Sequence, residues 1–185
     1  MAGNDRKEKT RAAWLETLRR HAHNFDAPAD PKGDYWSPRL DAASRDEIVA
    51  IQNDKLAAVT PFLYENSPFY RARFDRLGLA PTDLRSVDDL IAKWPVVDKS
   101  EMMEDVVANP PYGTYSACGE AEWDDRGWML FSSSGSTGVP RVFRYTHFDR
   151  KFWEQANARA LYSGGLRKGD SAFPMVGYGP HVFAW

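Results

Sequence analysis

Phe131-Ser-Ser-Ser-Gly-Ser-Thr-Gly-Val-Pro-Arg141 is the stretch on which the reading of this sequence turns. Five of its residues carry hydroxyls and two are glycines, with one proline near the end, a composition that suits neither a strand nor a helix. The flanks read differently. Residues 128–131 and 141–145 are rich in aromatic and β-branched side chains and are expected as a strand entering the stretch and a strand leaving it. A polar loop held by β-structure at both ends suits binding, because hydroxyls and bare backbone N–H groups can turn together toward one anion, above all a phosphate chain. The competing reading, a flexible Ser/Gly linker, makes the flanking strands a coincidence.

Downstream of the loop, Thr146-His-Phe-Asp149 has the capping-box pattern and opens a helix through about Tyr162, which Gly164 and Gly165 should end. Lys168-Gly-Asp170 reads as a turn, and residues 171–176 as a further buried strand. A strand, a helix and a strand in that order imply a parallel crossover, hence an α/β sheet.

Upstream the chain is helical. Thr10 to His23 carries Trp14, Leu15 and Leu18 on one side and charges elsewhere, an amphipathic pattern. His21 and His23 lie two apart and would face different sides of that helix, which argues against a metal pair. Asn24 to Leu40 reads as an irregular connection. Ser44-Arg-Asp-Glu47 is a second capping box, and Pro61 should kink its helix or start another. Gly78 stops the apolar face that continues through Phe69, Tyr70, Phe74 and Leu77. Short helices are expected at Ser86–Ala92 and Asp98–Ala108, each with an acid three positions after its capping residue, Asp89 and Glu101. Asn109-Pro-Pro-Tyr-Gly113 ends the helical part. The chain thus divides into an amino-terminal helix and irregular extension at 1–43, a helical region at 44–113, and the start of an α/β region at 114–185 with the loop at 132–141.

Composition narrows the function. The 185 residues carry 24 basic and 26 acidic side chains without long runs of one sign, so no basic stripe is available to neutralise a nucleic acid. No long unbroken apolar run argues for a membrane span, and the charged first residues lack an apolar signal region, so a cytoplasmic protein is expected. Cys118 is the only cysteine, which excludes an intrachain disulfide. It and His147 lack sequence partners that would make them catalytic. Seven tryptophans are a large supply for packing or for an aromatic-ligand pocket.

The loop is not the usual nucleotide P-loop, since Gly135 is followed by Gly138 and no lysine comes next. Ser133-Ser-Gly-Ser-Thr-Gly-Val-Pro-Arg141 instead resembles the Ser/Thr-rich signature of adenylate-forming enzymes, with Arg141 where that family commonly has lysine. Tyr64-Glu-Asn-Ser-Pro-Phe-Tyr-Arg-Ala-Arg-Phe74, Trp94-Pro-Val-Val-Asp-Lys99, Tyr145-Thr146, Asp149 and Trp153 resemble segments of the phenylacetate–CoA ligase branch, so the likeness runs from roughly Ser44 to Asp170.

The resemblance implies the amino-terminal portion of an acid-thiol ligase that uses ATP, Mg²⁺ and coenzyme A. An aryl carboxylate would be activated through an acyl-adenylate to the thioester, with AMP and pyrophosphate released. Ser133, Ser134, Gly135, Ser136, Thr137, Gly138 and Arg141 would hold the ATP phosphates, the hydroxyls donating and the glycines letting backbone approach. Tyr178, His181 and Phe183 are candidates to line the acid pocket, with plain core packing as the alternative. No catalytic residue or metal ligand is assigned, because the family's adenine and ribose motifs and its carboxy-terminal lysine are not in these residues; the chain is expected to need that remainder for turnover. A homodimer stays open, as do a non-catalytic binding or scaffold subunit, an acceptor other than coenzyme A, and the identity of the acid.

Overall fold

The computed structural model of the chain describes residues 2–21, 28, 30, 32–133, 141–173 and 175. In chain order, the first helices are α1 (Ala2–His21), α2 (Pro38–Asp41), α3 (Arg45–Asn66) and α4 (Pro68–Leu77). A 3-10 turn at Pro81–Asp83 leads to α5 (Val87–Lys93), α6 (Lys99–Ala108) and α7 (Glu120–Arg126). Strands β1 (Gly127–Ser132) and β2 (Val142–Thr146) follow, then α8 (His147–Ser163). Residues 1–22 with 43–118 form one compact unit, and residues 23–42 with 119–185 form a second.

The capping signals in the first unit act as the sequence implies. The Glu47 backbone N–H donates to Ser44 Oγ (3.3 Å) while Glu47 Oε2 accepts from the Ser44 N–H (2.8 Å), satisfying two otherwise orphaned donors at the start of α3. Ser86 and Asp98 accept from the N–H groups of Asp89 (3.0 Å) and Glu101 (2.9 Å) in the same way. Pro61 does not restart the helix: α3 continues through it to Asn66. The break comes at Ser67-Pro68. There the Ser67 N–H ends α3 on the Leu63 carbonyl (2.9 Å) and Ser67 Oγ opens α4 by accepting from the Tyr70 N–H (3.3 Å). A proline at the first helical position forfeits only an N–H that would be orphaned anyway, so Pro68 starts a helix at lower cost than Pro61 could.

α1 begins earlier than the apolar pattern predicted, at Ala2 rather than near Thr10; Arg6, Lys7, Glu8 and Lys9 are good helix formers that carry no apolar face for the pattern to reveal. It lies antiparallel on α3. Asn66 Nδ2 donates to Thr10 Oγ1 (3.2 Å) at one end, and His21 Nε2 meets Asp54 Oδ2 (2.6 Å) at the other.

In the second unit, β1 and β2 form an antiparallel hairpin in which Ser132 faces Val142, Phe131 faces Phe143 and Leu130 faces Arg144. A register shift between Gly127 and Met129 bulges the base of β1. Gly127 is required there, since a Cβ would stand 2.6 Å from the Trp123 carbonyl oxygen. α7 announced itself weakly in sequence because its cap, Gly119, has no side chain to bond the helix. α8 starts on the expected box, with Asp149 N–H donating to Thr146 Oγ1 (3.3 Å) and Asp149 Oδ2 accepting from Thr146 N–H (2.7 Å).

The segment before α3, expected as an irregular connection, is tied to α8. Tyr162 donates its hydroxyl to the backbone carbonyls of Asp30 and Gly33, Trp36 packs edge-on against its ring at 5.8 Å, and Arg159 pairs with Asp41. One expectation is corrected. The sequence predicts a buried strand over residues 171–176, but 171–173 carry no ladder bonds, and Phe173 and Met175 are 87% and 89% exposed; residues 174 and 176 lie outside the described residues. A strand forms only where a neighbour accepts its backbone groups, and the described sheet consists of β1 and β2 alone. The fold is therefore helix-rich α/β, with the parallel crossover not formed among the described residues.

Candidate functional site

The hydroxyl-rich stretch connects β1 to β2, at the turn end of the hairpin. Beyond the last ladder pair, the Ser133 N–H donates to the Arg141 carbonyl (2.9 Å), and the Arg141 N–H donates to Ser133 Oγ (2.9 Å). These two bonds form a neck that fixes where the loop leaves β1 and where it rejoins β2. Of the seven residues assigned to phosphate binding, Ser133 and Arg141 are thus brought together at that neck. Ser134, Gly135, Ser136, Thr137 and Gly138 lie outside the described residues, as do Tyr178, His181 and Phe183 of the acid-pocket assignment. A hydroxyl has one proton and two acceptor sites, so Ser133 Oγ can accept from Arg141 and still donate to a ligand.

Below the neck the sheet face is aromatic. Phe131 is 1% exposed and meets Tyr145 edge-on at 5.3 Å, Trp153 of α8 at 5.0 Å and Trp128 at 5.7 Å. Burying one such ring contributes about 1.5–3 kcal/mol, and edge-on pairing adds roughly 0.5–1.5 kcal/mol. Burial pushes the Tyr145 hydroxyl above its ordinary value of 10.0, with the nearby Asp149 carboxylate adding to the effect, so Tyr145 is neutral near neutral pH. Residues 131, 133, 141, 143 and 145 alternate onto one face of the hairpin, which places the Arg141 side chain beside Phe143. The guanidinium carbon is 5.4 Å from that ring centroid, within cation–π reach. On the opposite face Arg144 pairs with Glu120 and lies over the Trp123 ring at 5.9 Å, fastening α7 to β2.

The neck offers hydroxyl and guanidinium donors, which match phosphate oxygens. No group of three His, Cys, Asp or Glu side chains able to hold a metal forms among the described residues. The donors at Ser133 and Arg141 suit an anion, and no step below is routed through Mg²⁺. No helix among the described residues is long and apolar enough to cross a membrane.

The other motifs meet in the first unit. Arg73, 4% exposed, pairs with Glu101 and donates to the carbonyls of Pro95 (2.6 Å) and Val96 (3.1 Å). Its guanidinium lies 5.4 Å from the Trp94 ring, and Trp94 in turn packs on Phe74 at 4.5 Å. The hydrogen bond from Arg73 holds the Glu101 carboxyl below its ordinary 4.5, against a smaller opposing effect of burial. Arg73 went unnoticed in sequence. Its signal is a cation next to Phe74 on the helix whose apolar face runs from Phe69 to Leu77, a position where a charge must find a partner.

Sequence comparison places this arrangement among known proteins. The chain is 36% identical over 140 residues to a phenylacetate-coenzyme A ligase of Aromatoleum evansii and 35% identical over 140 residues to one of Pseudomonas putida. The chain resembles the amino-terminal portion of phenylacetate-coenzyme A ligases. Each match covers 76% of this chain and 30% of the ligase, so the chain spans about 30% of the length of the curated relatives it matches. A solved 2-hydroxyisobutyryl-CoA ligase, in complex with 2-HIB-AMP and CoA in the thioesterification state, aligns with TM-score 0.72 and 28% identity. The same ligase in the postadenylation state aligns with TM-score 0.71 and 27% identity; both alignments cover 80% of this chain and 30% of the neighbour. No protein-family model matches the chain.

Proposed function

We propose that this chain is the amino-terminal part of an AMP-forming acid–CoA ligase and that its hairpin loop holds the β- and γ-phosphates of ATP. The observation that carries the reading is the neck at Ser133 and Arg141, which mounts a Ser/Thr/Gly loop on the hairpin in a chain aligned with phenylacetate–CoA ligases. In the first step a carboxylate oxygen of the acid attacks the α-phosphorus, and the bond to the bridging oxygen of pyrophosphate breaks with that oxygen keeping the electron pair. Ser133, Ser134, Ser136 and Thr137 donate to the phosphates through hydroxyls, Gly135 and Gly138 let the backbone approach, and Arg141 supplies positive charge where the leaving pyrophosphate gathers negative charge. In the second step the thiolate of coenzyme A attacks the acyl carbon and AMP leaves.

The acid is an aryl acid of the phenylacetate kind, with Tyr178, His181 and Phe183 assigned to its pocket. The enzyme works in the cytoplasm with ATP, Mg²⁺ and coenzyme A. A second reading, an aliphatic hydroxy acid as substrate, is favoured by the solved neighbours, which are 2-hydroxyisobutyryl-CoA ligases in complex with 2-HIB-AMP. Acid-dependent exchange of labelled pyrophosphate into ATP tests both readings on the complete ligase. Exchange with aryl acids supports the first, exchange confined to 2-hydroxyisobutyrate supports the second, and no exchange with either class refutes the ligase.

A further inference from the structure

We draw no further inference here: the strongest candidate, the exposed apolar surface of the first unit made by Ile91 on α5 (76% exposed) and by Val96 just after it (89% exposed), carries nothing because nothing in the structure shows what covers it.

Discussion

Two arginines, each 5.4 Å from an aromatic ring centroid, serve different ends in the two units. Arg73 is buried, and its donors go to the Glu101 carboxylate and to the carbonyls of Pro95 and Val96. Arg141 is half-buried at the turn end of a hairpin, where its backbone closes the neck and its side chain lies near the Phe143 ring. The ring alone does not tell them apart. What does is the carboxylate and two carbonyls around the first, which make it a clamp, and the hydroxyl-rich stretch that the second adjoins, which is proposed to hold phosphate.

The comparison breaks most severely if the clamp is cut. Arg73→Met removes one of the two cations facing Glu101, Arg76 being the other, and leaves the Pro95 and Val96 carbonyls without their donor, and it should cost about 2–4 kcal/mol of stability in urea unfolding. The surviving folded ligase should keep its KM for ATP. A destabilisation below about 1 kcal/mol would mean that Arg73 is not the pin.

Next in size is the neck. Arg141→Gln should lower kcat/KM for ATP by about ten- to a hundredfold, the loss expected for one charged donor to phosphate, with little change in unfolding. The conservative exchanges sharpen the contrast. Arg141→Lys keeps the charge and should stay within about threefold of wild type in exchange, whereas Arg73→Lys loses the planar fork and should still destabilise by about 2 kcal/mol.

A smaller effect belongs to Gly127. A Cβ there would collide with the Trp123 carbonyl at 2.6 Å, so Gly127→Ala should destabilise by about 1–3 kcal/mol as α7 or β1 gives way, measured by thermal unfolding. The smallest is a pH effect on the clamp. Glu101 titrates below its ordinary 4.5 in the folded chain, so its contribution is complete above that value and is lost as pH falls through the folded one. Glu101→Gln should flatten the acid limb of the stability curve below about pH 4.5, the side on which the lowered carboxyl places the loss. An unchanged acid limb would mean that the pairing with Arg73 and Arg76 does not persist in solution.

Much of the molecule was legible in residues alone, because its signals are local. Ser44, Ser86, Asp98 and Thr146 cap their helices through bonds that span three positions, and the strands on either side of the loop declare themselves by composition. What the sequence hid depends on partners far along the chain. The anchoring of the segment before α3 on α8 requires Tyr162 to reach the carbonyls of Asp30 and Gly33 and Arg159 to reach Asp41. The same holds at the site. Five hydroxyls and two glycines suggested a phosphate loop, but only the hairpin register reveals that Ser133 and Arg141 bond each other and that Phe143 lies under the arginine.

The central claim, that this loop grips a triphosphate during acid activation, is tested most directly by acid-dependent exchange of pyrophosphate into ATP by the complete ligase and its Thr137→Ala variant. The account predicts robust exchange with an aryl acid such as phenylacetate, and a loss of about tenfold or more in the variant. Undiminished exchange by a well-folded Thr137→Ala enzyme would contradict it.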